Sequence, residues 1–151
     1  MKNKNGMTEI VKTVTTFIAA FIFIYGVNII LYGHLSPGGG FAGGVILAFL
    51  FILLFIVYGK KEVFREFSIF KSHVLESVGF LGLLIFLSLR FFLGGEFMFE
   101  LLNGIYTGRG FRLFSAGPMI IENLVIALKV GFSVFIAFSV LALFSRETEN
   151  D

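Results

Sequence analysis

The sequence contains no cysteine and no tryptophan. Without a thiol the chain forms no disulfide, ligates no iron–sulfur cluster and offers no thiolate to a metal. Without tryptophan, any interfacial aromatic belt rests on Tyr25, Tyr32, Tyr58 and Tyr106. Histidine is sparse too: His34 and His73 are the only two, and with no cysteine beside them no metal site is readable. No nucleophilic triad is readable either, and no cofactor is expected on this chain. Charged residues make up only 15% of the chain, and the net charge of +2 comes from dispersed basic residues that mostly flank apolar runs. Nucleic-acid binding is therefore not indicated.

What fills the sequence instead is hydrocarbon. Hydrophobic residues account for 57% of the chain, and the mean hydropathy of +0.95 lies outside the soluble globular range. Val14 to Tyr32 and Phe41 to Tyr58 carry no charge. Each is long enough to cross a hydrocarbon core of about 30 Å. Val74 to Leu93 is interrupted only by Glu76 and Arg90, and Met119 to Phe144 only by Glu122 and Lys129. The expected fold is all-α: an integral membrane protein with about four transmembrane helices, near residues 13–32, 37–58, 73–93 and 118–144, forming one domain over residues 1–151. Lys2, Lys4 and Lys12 before the first span also suit a signal peptide, but no A-x-A pattern follows. Helices and short loops use up the chain, so its function must sit in the bilayer or at its surfaces.

The basic residues orient the spans. Lys2, Lys4 and Lys12 precede the first, Lys60, Lys61, Arg65 and Lys71 separate the second and third, and Arg146 follows the fourth. The other loops hold only Arg109 and Arg112. By the positive-inside rule both termini and the middle loop are cytoplasmic, and His34 faces outside. Residues 60–71, with Val63, Phe64, Phe67 and Phe70, suit either an interfacial segment or a plain basic connector. The long connection before Met119 is expected to hold a short helix from about Glu96 to Ile105, ended by Gly104 or Gly108. No internal repeat marks the chain as a stand-alone secondary transporter.

Between the first two spans lies a glycine-dense break, Gly33 to Gly44. Ser36 followed by Pro37 reads as an N-cap and first helical residue, so the second helix is expected to start at Pro37. Gly39 and Gly43, and likewise Gly40 and Gly44, then stand four apart and form two small-xxx-small faces for close helix approach. A partly unwound run exposing its backbone to an ion or water path stays open as the alternative. A phosphate loop does not fit, because no Gly-Lys-Ser/Thr follows. His34, just before the break, suits a proton relay or a hydrogen-bonded anchor.

The charges inside the spans are the other candidates. Lys129 lies about 15 Å along the fourth helix, too deep to reach water fully, so it needs a partner or a cavity. Such a charge costs at least about 2.5 to 3.5 kcal/mol in a bilayer and marks either an ion route or a structural pair with an acid, in this chain or another. Glu122 shares its face but lies about 10 Å away, so only a water chain would link the two. His73 and Glu76, three apart, share a face near the cytoplasmic end as a proton-exchange pair or a solvated helix terminus. Arg90 is expected to snorkel outward.

His34, Ser36, Pro37, Gly38, Gly39, Gly40, Phe41, Gly43 and Gly44 resemble the signature His-x-x-Pro-Gly-Gly-Gly-Phe-x-Gly-Gly of the B subunit of Mrp-type multisubunit cation/proton antiporters. The same family supplies subunits to membrane-bound hydrogenases. The resemblance extends over nearly the whole chain in length and span count. It implies a non-enzymatic, multi-pass subunit of the cell membrane, with the other membrane subunits of an antiporter or hydrogenase complex as partners and Na+ and H+ as the transported ions. Leu35, where many antiporter members carry asparagine, and the stretch Asn123 to Gly131 with Lys129 look more like the hydrogenase-associated branch. A free-standing antiporter subunit and a scaffold without an ion path remain the alternatives. Within the implied complex, Lys129, Glu76, His34, His73 and Glu122 are the ion-path candidates, and Pro37 to Phe41 with Gly43 and Gly44 the packing motif.

Overall fold

The computed structural model describes residues 7–35, 37–59, 63, 68–93 and 119–147, with side chains described as far as residue 142 except that of Leu93. The readings made for residues 60–67 and 94–118, including the short helix near Glu96 to Ile105, fall mostly or wholly outside the described residues. Four helices make up the described part: α1 (Glu9–Leu31), α2 (Gly39–Tyr58), α3 (Ile69–Leu93) and α4 (Met119–Glu147). All four are long and apolar enough to cross a membrane, with mean hydropathies of 2.2, 2.8, 1.9 and 2.4 over the best stretch of each. The chain is an all-helical, multi-pass membrane protein. α1 and α3 start earlier than the hydrophobic cores suggested, because polar first turns such as Thr8 to Lys12 join α1 and Ser68 to Lys71 lead into α3.

The helices are arranged in the spatial order α1, α2, α4, α3. Short connections make α1 and α2 antiparallel. At one end the Thr16 and Tyr58 hydroxyls share a hydrogen bond of 2.7 Å, and toward the other Gly43 lies against Ile30. α2 and α4 run parallel, as the contacts Gly40 with Asn123, Gly44 with Ala127 and Phe55 with Phe138 show by their constant offset. α3 and α4 are antiparallel, with Glu76 opposite Ser133 and Gly82 opposite Val125. α2 is therefore covered on two sides, whereas α3 packs chiefly on α4.

Burial follows from that order. α1 buries Thr15, Ala19, Gly26 and Ile30, a stripe of mostly small residues turned toward α2. Its large side chains face outward: Phe17, Phe21 and Ile24 are each about two-thirds exposed or more. In water such a surface would be unstable, but in hydrocarbon it is the natural lipid-facing side. The core lies between α2 and α4, where Ala48, Ala127 and Phe135 are almost wholly buried.

The start of α2 differs from the sequence expectation. The helix begins at Gly39, two residues after Pro37, and Gly38 occupies the cap position at φ +136°. Gly39 itself has φ +56°. Both angles belong to backbone that side-chain-bearing residues rarely adopt, so the turn is made by glycine geometry and Pro37 stays outside the helix. Ser36, the expected cap, lies outside the described residues. From Gly40 onward the run is regular helix rather than unwound backbone.

Candidate functional site

Two polar features converge on α4, one at each face. The first is a glycine junction at the start of α2 and α4. The Gly40 N–H donates to Asn123 Oδ1 at 3.2 Å, so the α2 N-terminus is capped by a side chain from another helix. That bond requires close backbone approach. A Cβ at Gly40 would lie 2.2 Å from the Asn123 carbonyl oxygen, and one at Gly33 would lie 2.7 Å from Asn123 Nδ2. One turn further along, a Cβ at Gly44 would lie 2.7 Å from the Ala127 carbonyl oxygen. Asn123, Ala127 and Gly131, spaced by four, form the α4 side of this contact.

The two expected glycine faces separate in space. Gly40 and Gly44 meet α4, whereas Gly43 meets Ile30 and the Gly26 carbonyl of α1. Gly39 does not share Gly43's neighbour: its left-handed backbone takes it out of helical phase and sets it beside Asn123 Oδ1. Pro37 and Gly38 are exposed in the turn. Phe41 is 64% exposed on the outside of α2. His34 is half-buried in the same turn, next to Gly33 and hence near Asn123.

The second feature is a line of ionisable groups along the α3/α4 seam. At one end the Ser133 hydroxyl donates to Glu76 Oε1, and His73 Nδ1 lies 3.6 Å from Glu76 Oε2. Glu76 is only 27% exposed, so its carboxyl is held between a hydroxyl and an imidazole at the edge of the span. At the other end Arg90 pairs with Glu122 at 3.4 Å. Arg90 thus does not simply snorkel, and Glu122 is tied to it rather than turned toward Lys129. The antiparallel packing explains both corrections, since it brings the last turn of α3 beside the first turn of α4.

Lys129 lies between these pairs. A Cβ at Gly79 would come within 2.9 Å of the Lys129 amide nitrogen and 3.2 Å of its Cβ, so α3 presses directly on the lysine's backbone. Lys129 is half-buried, and among the described residues its ammonium has no ion pair within 4.0 Å. The seam thus gathers His73, Glu76, Lys129 and Glu122, while His34 stands apart at the glycine junction. Among the described residues no group of three or more His, Asp or Glu side chains could hold a metal ion.

Ser133, Asn123 and Gly79 are the additions that structure makes to the site. Ser133 is four residues beyond Lys129 on the same face, and Asn123 begins the four-residue spacing with Ala127 and Gly131. Those spacings were the available signals, but neither names a partner.

The whole of this arrangement lies within one recognisable family. Residues 10–143 match the family model described as a domain related to the MnhB subunit of Na+/H+ antiporter. The chain belongs to the MnhB family. It is 32% identical over 130 residues to an uncharacterized protein of Methanocaldococcus jannaschii, covering 82% of this chain and 48% of that one. It is also 32% identical over 92 residues to a Staphylococcus epidermidis protein provisionally named antiporter subunit mnhB2, covering 60% of this chain and 64% of that one. A Staphylococcus aureus protein with the same name is 35% identical over 60 residues, covering 40% and 43% of the two chains. This MnhB-family chain therefore spans about half to two-thirds of the length of the curated relatives it matches. No solved structure matches it.

Proposed function

We propose that this MnhB-family chain is a membrane subunit of a multisubunit Mrp-type Na+/H+ antiporter module, located in the plasma membrane within an energy-converting complex of the membrane-bound hydrogenase type. The family match over residues 10–143 carries the subunit reading. Leu35 and the Asn123 to Gly131 stretch with Lys129 favour the hydrogenase-type setting over a free-standing antiporter. In such a complex, redox chemistry on other subunits drives ion movement, and this chain contributes membrane-embedded polar groups. The Glu76 carboxyl, bonded by Ser133 and flanked by His73, takes up or releases protons at the cytoplasmic edge, while Lys129 borders the route deeper in the bilayer.

Detergent co-purification from native membranes tests the setting. Recovery of hydrogenase subunits with nickel and iron is the expected result, and recovery of antiporter subunits alone overturns that part. The ion-route reading is tested on Na+-dependent proton exchange in inverted vesicles: it falls if Lys129→Ala and Glu76→Gln leave exchange by the intact complex unchanged.

A scaffold reading has one observation in its favour. Gly40, Gly43 and Gly44 are all consumed by backbone-close helix contacts. If the chain only joins conducting partners, charge replacements are mild and Gly43→Leu disrupts assembly.

A further inference from the structure

The charged groups in the spans do not balance within the chain. Glu9 pairs with Lys12 at 2.9 Å, Glu76 is engaged by Ser133 and His73, and Glu122 by Arg90. Among the described side chains, the three helical acids Glu9, Glu76 and Glu122 thus each have a partner, and Lys129 has none. Its depth makes this costly, because an ammonium near the bilayer centre is unfavourable by at least about 2.5 kcal/mol unless it is paired or hydrated. Snorkelling relieves little at about 15 Å from the outer end of α4.

The surroundings of Lys129 point outward from the chain. Gly79 closes the seam against the Lys129 backbone and itself offers no side chain to answer the charge, while Glu76, one turn away, is engaged by Ser133 and His73. α3 is otherwise bare: only 11% of its spanning stretch is buried, against 44% for α2. Apolar residues cover the exposed side, among them Val78, Leu81 and Ile85. An apolar surface with one unanswered cation at mid-depth fits a complementary helix better than it fits lipid tails alone.

We infer that the α3/α4 face of this chain docks a transmembrane helix of another subunit, one that is apolar except for an aspartate or glutamate placed at the depth of Lys129. The ion pair fixes both the register and the choice of partner, since any helix without a carboxylate there leaves the lysine unpaired. This inference rests on the reading of the chain as a subunit of a larger complex.

The test uses the native complex in its membranes and a hydrophobic carbodiimide, which activates a carboxyl and lets an amine in contact with it form an amide. The expected product, read by mass spectrometry, joins Lys129 to an aspartate or glutamate inside a membrane-spanning segment of a different, co-purifying polypeptide. Joining of Lys129 to Glu76 or Glu122 overturns the inference. So does a Lys129 that forms no amide but reacts with a water-soluble amine reagent in the intact complex, because it then faces a hydrated cavity. Charge exchange gives a second readout that a merely structural residue would not produce. Lys129→Glu lowers recovery of the complex by roughly tenfold or more, Lys129→Met does so less, and the reciprocal change at the joined carboxylate restores the Lys129→Glu loss. Absence of that restoration overturns the pairing. Purification with no other membrane polypeptide refutes the subunit reading itself, whereas purification with partners but without the amide refutes only the docking face.

Discussion

Replacing Gly40 by alanine adds one carbon at the tightest point of the molecule. The new Cβ would stand 2.2 Å from the Asn123 carbonyl oxygen and 2.7 Å from its Cα, while ordinary contact begins at 3.4 Å. Both obstacles are backbone, so no rotamer change relieves them, and α2 and α4 must part by about 1 Å at this level. A gap of that size forfeits roughly a quarter to a half of the dispersion energy across the contact. It also stretches the 3.2 Å bond that caps α2. Overpacking of this kind costs about 1–3 kcal/mol, and a lost interhelical hydrogen bond adds about 0.6 kcal/mol. The sum of roughly 2–4 kcal/mol corresponds to a fall in unfolding temperature of about 4–16 °C. The chain's lack of cysteine supplies the assay. A single Ser139→Cys at a wholly buried position of α4 is shielded from a mass-tagging thiol reagent until α4 is released, and a gel shift of this chain reports release against temperature. Gly82→Ala is the control, since its Cβ would meet only a Val125 methyl at 3.3 Å. If Gly40→Ala releases α4 at the same temperature as Gly82→Ala, the close α2/α4 approach is wrong.

Asn123→Ala removes the acceptor for the Gly40 N–H without adding bulk, and is expected to cost about 1 kcal/mol in the same thermal assay, less than Gly40→Ala. Glu76→Gln and Ser133→Ala form a double-mutant cycle; a coupling of about 0.6–1.7 kcal/mol is expected, and additivity of the two single effects would remove the bond from the account. Arg90→Gln should change stability by less than about 1 kcal/mol and lose most of even that in high salt, because Arg90 is 49% exposed at the membrane edge.

The spans were legible because hydrocarbon demands long charge-free runs, and the 19 residues from Val14 to Tyr32 leave little choice. The start of α2 was not, since Ser36-Pro37 is a good local cap and the competing solution depends on Gly38 and Gly39 taking left-handed backbone and on Asn123 arriving from another helix. The seam was legible in part. His73 and Glu76 are three apart, and helical spacing alone puts them together. Ser133 was silent, because a lone serine inside an apolar helix bonds as readily to its own backbone as to a distant acid. Arg90 and Glu122 were each visible as charges near span ends, but their pairing depends on α3 and α4 being adjacent and antiparallel, which no local pattern encodes.

The spatial order α1, α2, α4, α3 differs from the chain order, and that has a consequence for biogenesis. The α1/α2 hairpin can close as soon as it is made, but α3 leaves the ribosome before its chief partner exists. It must enter the bilayer carrying Glu76 with no Ser133 to bond it, on the weakest hydropathy of the four helices, 1.9. Until α4 arrives between α2 and α3, the nascent chain holds one finished hairpin and one solitary helix whose acid has only His73 of its own helix beside it. α4 then completes both at once, capping Gly40 with Asn123 and bonding Glu76 with Ser133. A ribosome stalled before Met119 therefore exposes a chain whose third segment is the one most readily lost from the membrane.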